Sequence, residues 1–187
     1  PISEELYKEW VQIAGLYGKA ESVRMLTSLG FKLTTNSKEA VEALYRAVDR
    51  GDLATVSLLL EQGANPNQEV FGNQIILSQA IHQGNIEIVR LLIAKGAKIN
   101  VVSNSHGDDT PLRAAISTAN LEIFNLLRDK GVKLSSDKPE YSPLHALPWL
   151  GGYYGQKTEA EYLANVMTIL DELLKAQNPI DAPDYQG

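Results

Sequence analysis

The stretch DDTPLRAAISTANLEIFNLLRDKG, residues 108–131, sets the reading of this chain. It runs from Thr110-Pro111 through Leu112 and Ala115 to the pair Leu126-Leu127 and closes on Gly131. The question it raises is whether it stands alone or is one copy of a repeat. Sliding the chain against itself answers it. Glycines that follow a leucine-rich stretch stand at Gly30, Gly63, Gly96 and Gly131, with spacings of 33, 33 and 35. A small midway residue recurs at Gly18, Gly51, Gly84 and Ala119, and an alanine at Ala14, Ala47, Ala80 and Ala115, both with the same three spacings. Three classes of position share one rhythm, and a fixed period of this length marks a solenoid of stacked units.

Each unit reads as two short helices. Val56, Leu59 and Leu60 fall at helical spacing, as do Val89, Leu92 and Ile93. The closing glycines sit where a second helix ends, and a C′ residue in the left-handed region favours glycine. The midway glycines suit a tight turn, and the alanines allow close approach of helices within and between units. Between units lie polar segments such as ANPNQEVFGNQ (64–74) and NVVSNSHGDD (100–109), rich in the residues of turns between short extended arms.

These motifs resemble the ankyrin repeat. TPLRAA at Thr110–Ala115 and SPLHAL at Ser142–Leu147 are similar to that family's TPLHxAA opening. VSLLLEQGANPN (56–67) and VRLLIAKGAKIN (89–100) are similar to its VxxLLxxGAxxN close. The resemblance implies an all-α solenoid of helix-turn-helix units with short β-hairpin-like arms. Its units would run at about 6–33, 40–67, 73–100, 108–135 and 140–181, as a single domain over 1–187. The openings of three units depart from the pattern: Glu9-Trp10-Val11-Gln12, Glu42-Ala43-Leu44-Tyr45 and Ile75-Ile76-Leu77-Ser78. The fifth unit carries an insertion near 152–164, in which Thr158 and Glu161 fit a capping box that starts a lengthened second helix. The last residues, DAPDYQG (181–187), resemble the lead-in to a further unit, with 182–187 as its start, so the chain is expected to be a piece of a longer protein.

Composition narrows the chemistry. The 187 residues carry a net charge of −6, against a general binder of nucleic-acid backbones, which needs a surplus of Lys and Arg. Residues 158–187 hold six acidic residues and one basic residue, hence −5 of that total. There is no cysteine, so disulfides and thiolate metal sites are excluded. The apolar run from Tyr141 to Gln156 holds two prolines and three glycines and is no membrane span. Of the histidines, His82, His106 and His145, no pair stands four apart on a helix, as a zinc-binding HExxH requires. His106, beside Asp108 and Asp109, reads as part of a turn, and His145 as the structural histidine of the TPLH-like motif. No nucleophile and base can be paired. The chain is expected to be no enzyme and to hold no cofactor and no metal.

What remains is the surface. The resemblance implies a concave groove built from the arms and first helices, with contact positions at the two residues before each midway turn. These are Leu16 and Tyr17, Asp49 and Arg50, His82 and Gln83, Ser117 and Thr118, and Trp149 and Leu150. Tyr45 joins them, as do Phe71, Tyr141 and Tyr185 at the arm tips and Tyr153 and Tyr154 in the insertion. Aromatic residues and Arg at such places are common anchors of protein interfaces. The expected function is a protein-binding module, monomeric and intracellular, with no nucleic-acid partner and no membrane insertion. The alternative is the targeting arm of a larger enzyme, or of a bacterial effector acting inside a host cell.

Overall fold

The computed structural model describes residues 20–28, 38–68, 75–101, 110–135, 143–146 and 158–177. Its helices are α1 (Ala20–Ser28), α2 (Lys38–Asp49), α3 (Leu53–Glu61), α4 (Ile76–His82), α5 (Ile86–Ala94), α6 (Pro111–Ser117), α7 (Leu121–Asp129) and α8 (Glu159–Gln177), with a 3-10 turn at Pro143–Ala146. No strand occurs among the described residues. The arm segments at 69–74, 102–109 and 136–142, and Ala14, Gly18 and Gly30 of the first period, lie outside them.

The helices form two rows. Within a unit, α2 packs on α3, α4 on α5 and α6 on α7. Between units, α2, α4, α6 and the 3-10 turn follow one another in one row, and α1, α3, α5, α7 and α8 in the other. The principal contacts join elements of the same or adjacent units, so the fold grows in one direction.

One motif ends each helix of the three central pairs. In α5, the amide of Gly96 bonds to the carbonyl of Ile93 at 3.0 Å, and that of Ala97 to Leu92 at 2.9 Å. This is the Schellman pairing, and Gly96 stands at φ +89° as it requires. α4 ends the same way, with Gly84 bonding to Ile81 at 2.9 Å and Asn85 to Ala80 at 3.3 Å. In α6 the left-handed position falls to Ala119, at φ +47° and fully buried. Glycine is therefore preferred at the midway turn but not obligatory.

The three periodic alanines in the described residues, Ala47, Ala80 and Ala115, are each 0% exposed. They occupy the close approach between first helices. Leucine at Ala80 would overpack that contact at a cost of about 1–3 kcal/mol. Leu59, Leu92, Leu127 and Leu173 line the second row, all at 1% exposure or less.

The last described unit differs from its neighbours. Its second helix, α8, has 19 residues, against nine in α3, α5 and α7. The capping box forms as its sequence implies: the backbone N–H of Thr158 donates to Glu161 Oε2 at 3.0 Å, and that of Glu161 donates to Thr158 Oγ1 at 3.3 Å. Its opening, Pro143–Ala146, is a 3-10 turn rather than an α-helix. Pro148 has no N–H to return to Leu144, so an α-helix begun at Pro143 lacks its third bond.

Leu92 is fully buried in the central pair, whereas Leu53 is 41% exposed. Leu92→Ala is expected to cost about 2–5 kcal/mol through its cavity. Leu53→Ala should cost well under half as much, and urea unfolding of the two variants reads the difference.

Candidate functional site

The strongest candidate surface is a strip built from the last turns of α2, α4 and α6. The midway turns stack in register, so the residues that precede them come side by side. Asp49 and Arg50, then His82 and Gln83, are exposed; Ser117 is exposed and Thr118 half-buried. The sequence placed these residues at equivalent positions of separate units; the packing of α2 on α4 and of α4 on α6 makes them one surface.

The strip is internally wired. Asp49 Oδ1 accepts from Gln79 Nε2 at 2.7 Å and from Gln83 Nε2 at 3.1 Å. One carboxylate therefore clasps two residues of the next first helix. The charge-assisted bonds fix the Gln83 amide and leave Arg50 and His82 at the outer edge. In the next unit the hydroxyls are turned inward. Ser117 Oγ donates to the Ala114 carbonyl at 3.0 Å, and Thr118 Oγ1 lies 2.9 Å from the same oxygen. The strip thus changes character along its length, from charged and amide-bearing at α2 and α4 to compact and hydroxyl-bearing at α6.

Tyr45 is half-buried and packs against the core. Tyr17, Phe71, Tyr141, Trp149, Leu150, Tyr153, Tyr154 and Tyr185 lie outside the described residues, as do Leu16 and His106. Among the described residues no group of three His, Asp or Glu side chains is placed to hold a metal ion. No helix there is long and apolar enough to cross a membrane.

Three polar ladders escaped the sequence reading, although the same period signals two of them. The first consists of Asp52, Asn85 and Asn120, each directly after a midway residue. Their side chains accept from the amides of Thr55, Ile88 and Ile123 at 3.0, 3.2 and 3.1 Å and so cap the second helices. The second consists of Asn67 and Asn100, 33 residues apart, which reach forward into the next unit. Asn67 donates to the Gly96 carbonyl at 2.9 Å and accepts from the Lys98 amide at 2.8 Å. Asn100 repeats this with Gly131 at 3.3 Å and Lys133 at 2.9 Å. The third is the clasp at Asp49, which has no periodic counterpart and is visible only in three dimensions.

Where the TPLH-like opening is lost, its bonds are lost as well. Thr110 Oγ1 accepts from the Arg113 amide at 3.1 Å, but Ile75, in the same place, makes no side-chain cap bond. Ser78, at the motif's histidine position, is buried, and its hydroxyl has no hydrogen-bond partner among the described residues.

The comparisons with known proteins agree with this geometry. The family pattern for ankyrin repeats, three copies, matches residues 44–138. The bovine dynein axonemal heavy chain 12 is 48% identical over 58 residues, covering 31% of this chain and 15% of that protein. The mouse ankyrin repeat and SOCS box protein 14 is 47% identical over 58 residues, covering 31% of this chain and 9% of that protein. The chain thus spans only a small part of these relatives. Among solved structures, the human ASB11 ankyrin repeat domain superposes with a TM-score of 0.64 at 21% identity, covering 87% of this chain and 68% of that one.

The second ladder yields a local expectation. Asn100→Ala should cost about 1 kcal/mol, the net worth of a typical hydrogen bond. It should speed exchange of the Lys133 amide and leave that of Lys98, which Asn67 holds, unchanged. Hydrogen-exchange mass spectrometry on the variant separates the two.

Proposed function

The chain belongs to the ankyrin-repeat family, whose repeats are generally protein–protein interaction modules, and we propose that it captures a partner protein along the strip at the ends of α2, α4 and α6. The supporting observation is the in-register exposure of Asp49-Arg50, His82-Gln83 and Ser117 on a rigid scaffold. Three adjacent helices present side chains about 10 Å apart, a common interaxial spacing, so an extended segment of a partner meets one unit after another. Arg50 offers a planar donor fork for a carboxylate, and the preset Gln83 amide offers a hydrogen-bond contact at little ordering cost. Trp149 and Leu150 align with the same strip and Phe71 and Tyr141 with the arm tips; all four are proposed as apolar anchors. The setting proposed for this binding is intracellular.

A second reading is favoured by the comparisons. The matched segment is a small part of each relative's length, and the mouse relative is named for a second module beside its repeats. On this reading the strip recruits the partner to an activity carried elsewhere in a longer chain.

The test is partner capture with three baits: the native chain, an Arg50→Glu/His82→Glu/Ser117→Glu variant, and a Lys95→Glu/Lys130→Glu control on the closing turns. The strip variant should lose the partner at an unchanged melting temperature, while the control retains it. Loss only in the control would move the interface to the opposite edge. Trp149→Ala should weaken capture by about 2 kcal/mol, the scale of an interface hot spot.

A further inference from the structure

Four lysines stand together on two consecutive closing turns. The segments AKGAK (94–98) and DKGVK (129–133) carry Lys95 and Lys98, then Lys130 and Lys133, at equivalent places of adjacent units. All four are exposed. None of their ammonium groups makes a hydrogen bond or an ion pair among the described residues, whereas Arg46, Arg90, Arg128 and Lys175 each reach a carboxylate. Asp129, the one carboxylate within the two segments, is held by Arg128 at 3.2 Å. In a chain of net charge −6, this is a local surplus of positive charge.

Helix chemistry accounts for half of the surplus. Lys95 and Lys130 cap α5 and α7, where an ammonium suits the negative end of the helix dipole. Lys98 and Lys133 lie three residues further on, beyond the helices, where that effect has faded. Their backbone is nevertheless fixed, because Asn67 and Asn100 accept from their amides at 2.8 and 2.9 Å. Asn100 stands two residues after Lys98, so its bond to the Lys133 amide also ties one lysine turn to the next. The two pairs therefore sit about 10 Å apart, the spacing of packed helices. The surface between the lysines of each pair is open: a Cβ built on Gly96 or Gly131 would meet no atom beyond its chain neighbours within 4 Å.

We propose that these two turns form a second binding site, which takes a short acidic segment of a partner polypeptide. An extended segment advances about 3.3 Å per residue, so carboxylates three residues apart meet the two lysine pairs in turn. The site closes the second helices and the strip closes the first, so the two surfaces lie at opposite ends of the helix pairs. Carboxylates bracket the patch along the row. Glu61 is exposed on the preceding turn, and Asp171 and Glu172 stand toward the end of α8. A long polyanion such as a nucleic-acid backbone would run on into these carboxylates; a short acidic segment does not. A membrane surface fits less well, because the large exposed apolar side chains of the described residues all lie elsewhere, and an interfacial anchor needs them beside its basic residues.

The probe is a labelled synthetic peptide with glutamate at every third position and Gly and Ser between, titrated with the full chain and read by fluorescence anisotropy. It should bind, and bind several-fold more weakly as salt rises from about 0.01 M to about 0.15 M and the screening length falls from about 30 Å to about 8 Å. Lys98→Gln/Lys133→Gln should weaken binding several-fold at an unchanged melting temperature, since the asparagine bonds use main-chain amides that glutamine keeps. Arg24→Gln/Lys38→Gln, an equal loss of charge at exposed residues outside the patch, should change it far less. No binding at low salt, or equal weakening by the two pairs, would overturn the site. Loss in Arg50→Gln/His82→Gln with retention in Lys98→Gln/Lys133→Gln would also overturn it, and would place acid recognition at the strip. Tighter binding of a single-stranded oligonucleotide or of phosphatidylserine vesicles, abolished in the lysine variant, would overturn the assignment to a polypeptide.

Discussion

The stacking of each helix pair on the next is what holds every other feature of this protein in place. A nine-residue helix has little stability in isolation, because few of its backbone bonds outlast the cost of nucleation. Here such helices persist because Leu59, Leu92 and Leu127 are removed from water by the partner helix and by the neighbouring pairs. The buried alanines set how close that approach is. With larger side chains at Ala47, Ala80 and Ala115, the first-helix row would separate and the second row would lose its cover.

Apolar stacking alone does not set register, and polar ladders supply what it lacks. The Asn67 and Asn100 amides each hold the closing turn of the following unit through two bonds, so a unit cannot slide without breaking both. On the second-helix row, Arg90 meets Glu122 and Arg128 meets Glu172. The first pair is exposed and the second half-buried; such pairs are worth little energy, but they act in the same sense. The Asp49 clasp has the same effect on the first-helix row and also shapes the proposed binding strip. Register and the proposed binding strip thus draw on the same residues.

The array is not uniform along its length. Its centre repeats one motif with small variations, while the last described unit opens with a short 3-10 turn and continues into a helix about twice as long as its counterparts. The added turns carry apolar residues on the side away from the array, where an internal unit would meet its successor. Lys175, bonded to Asp171 at 2.6 Å, is held protonated above its ordinary range, mainly by that hydrogen bond.

The period, the two-helix unit, the closing turns and the capping box of α8 could all be read from the residues, because each rests on local backbone chemistry that recurs at a readable interval. Gly96 and Gly131 announce left-handed caps, and Thr158 with Glu161 announces a helix start. The asparagine ladder was legible in principle at Asn67 and Asn100, but its partners lie one unit away and carry no local mark. Packing, by contrast, settled which candidate surface residues belong together. Asp49 and Gln83 stand 34 residues apart, and nothing in their spacing shows a bond; the packing of α2 on α4 brings them to 3.1 Å. Packing also set Tyr45 half-buried against the core and left Leu163, Met167 and Leu174 in solvent, since whether an apolar side chain is covered depends on what packs against it and not on the residues beside it in the chain.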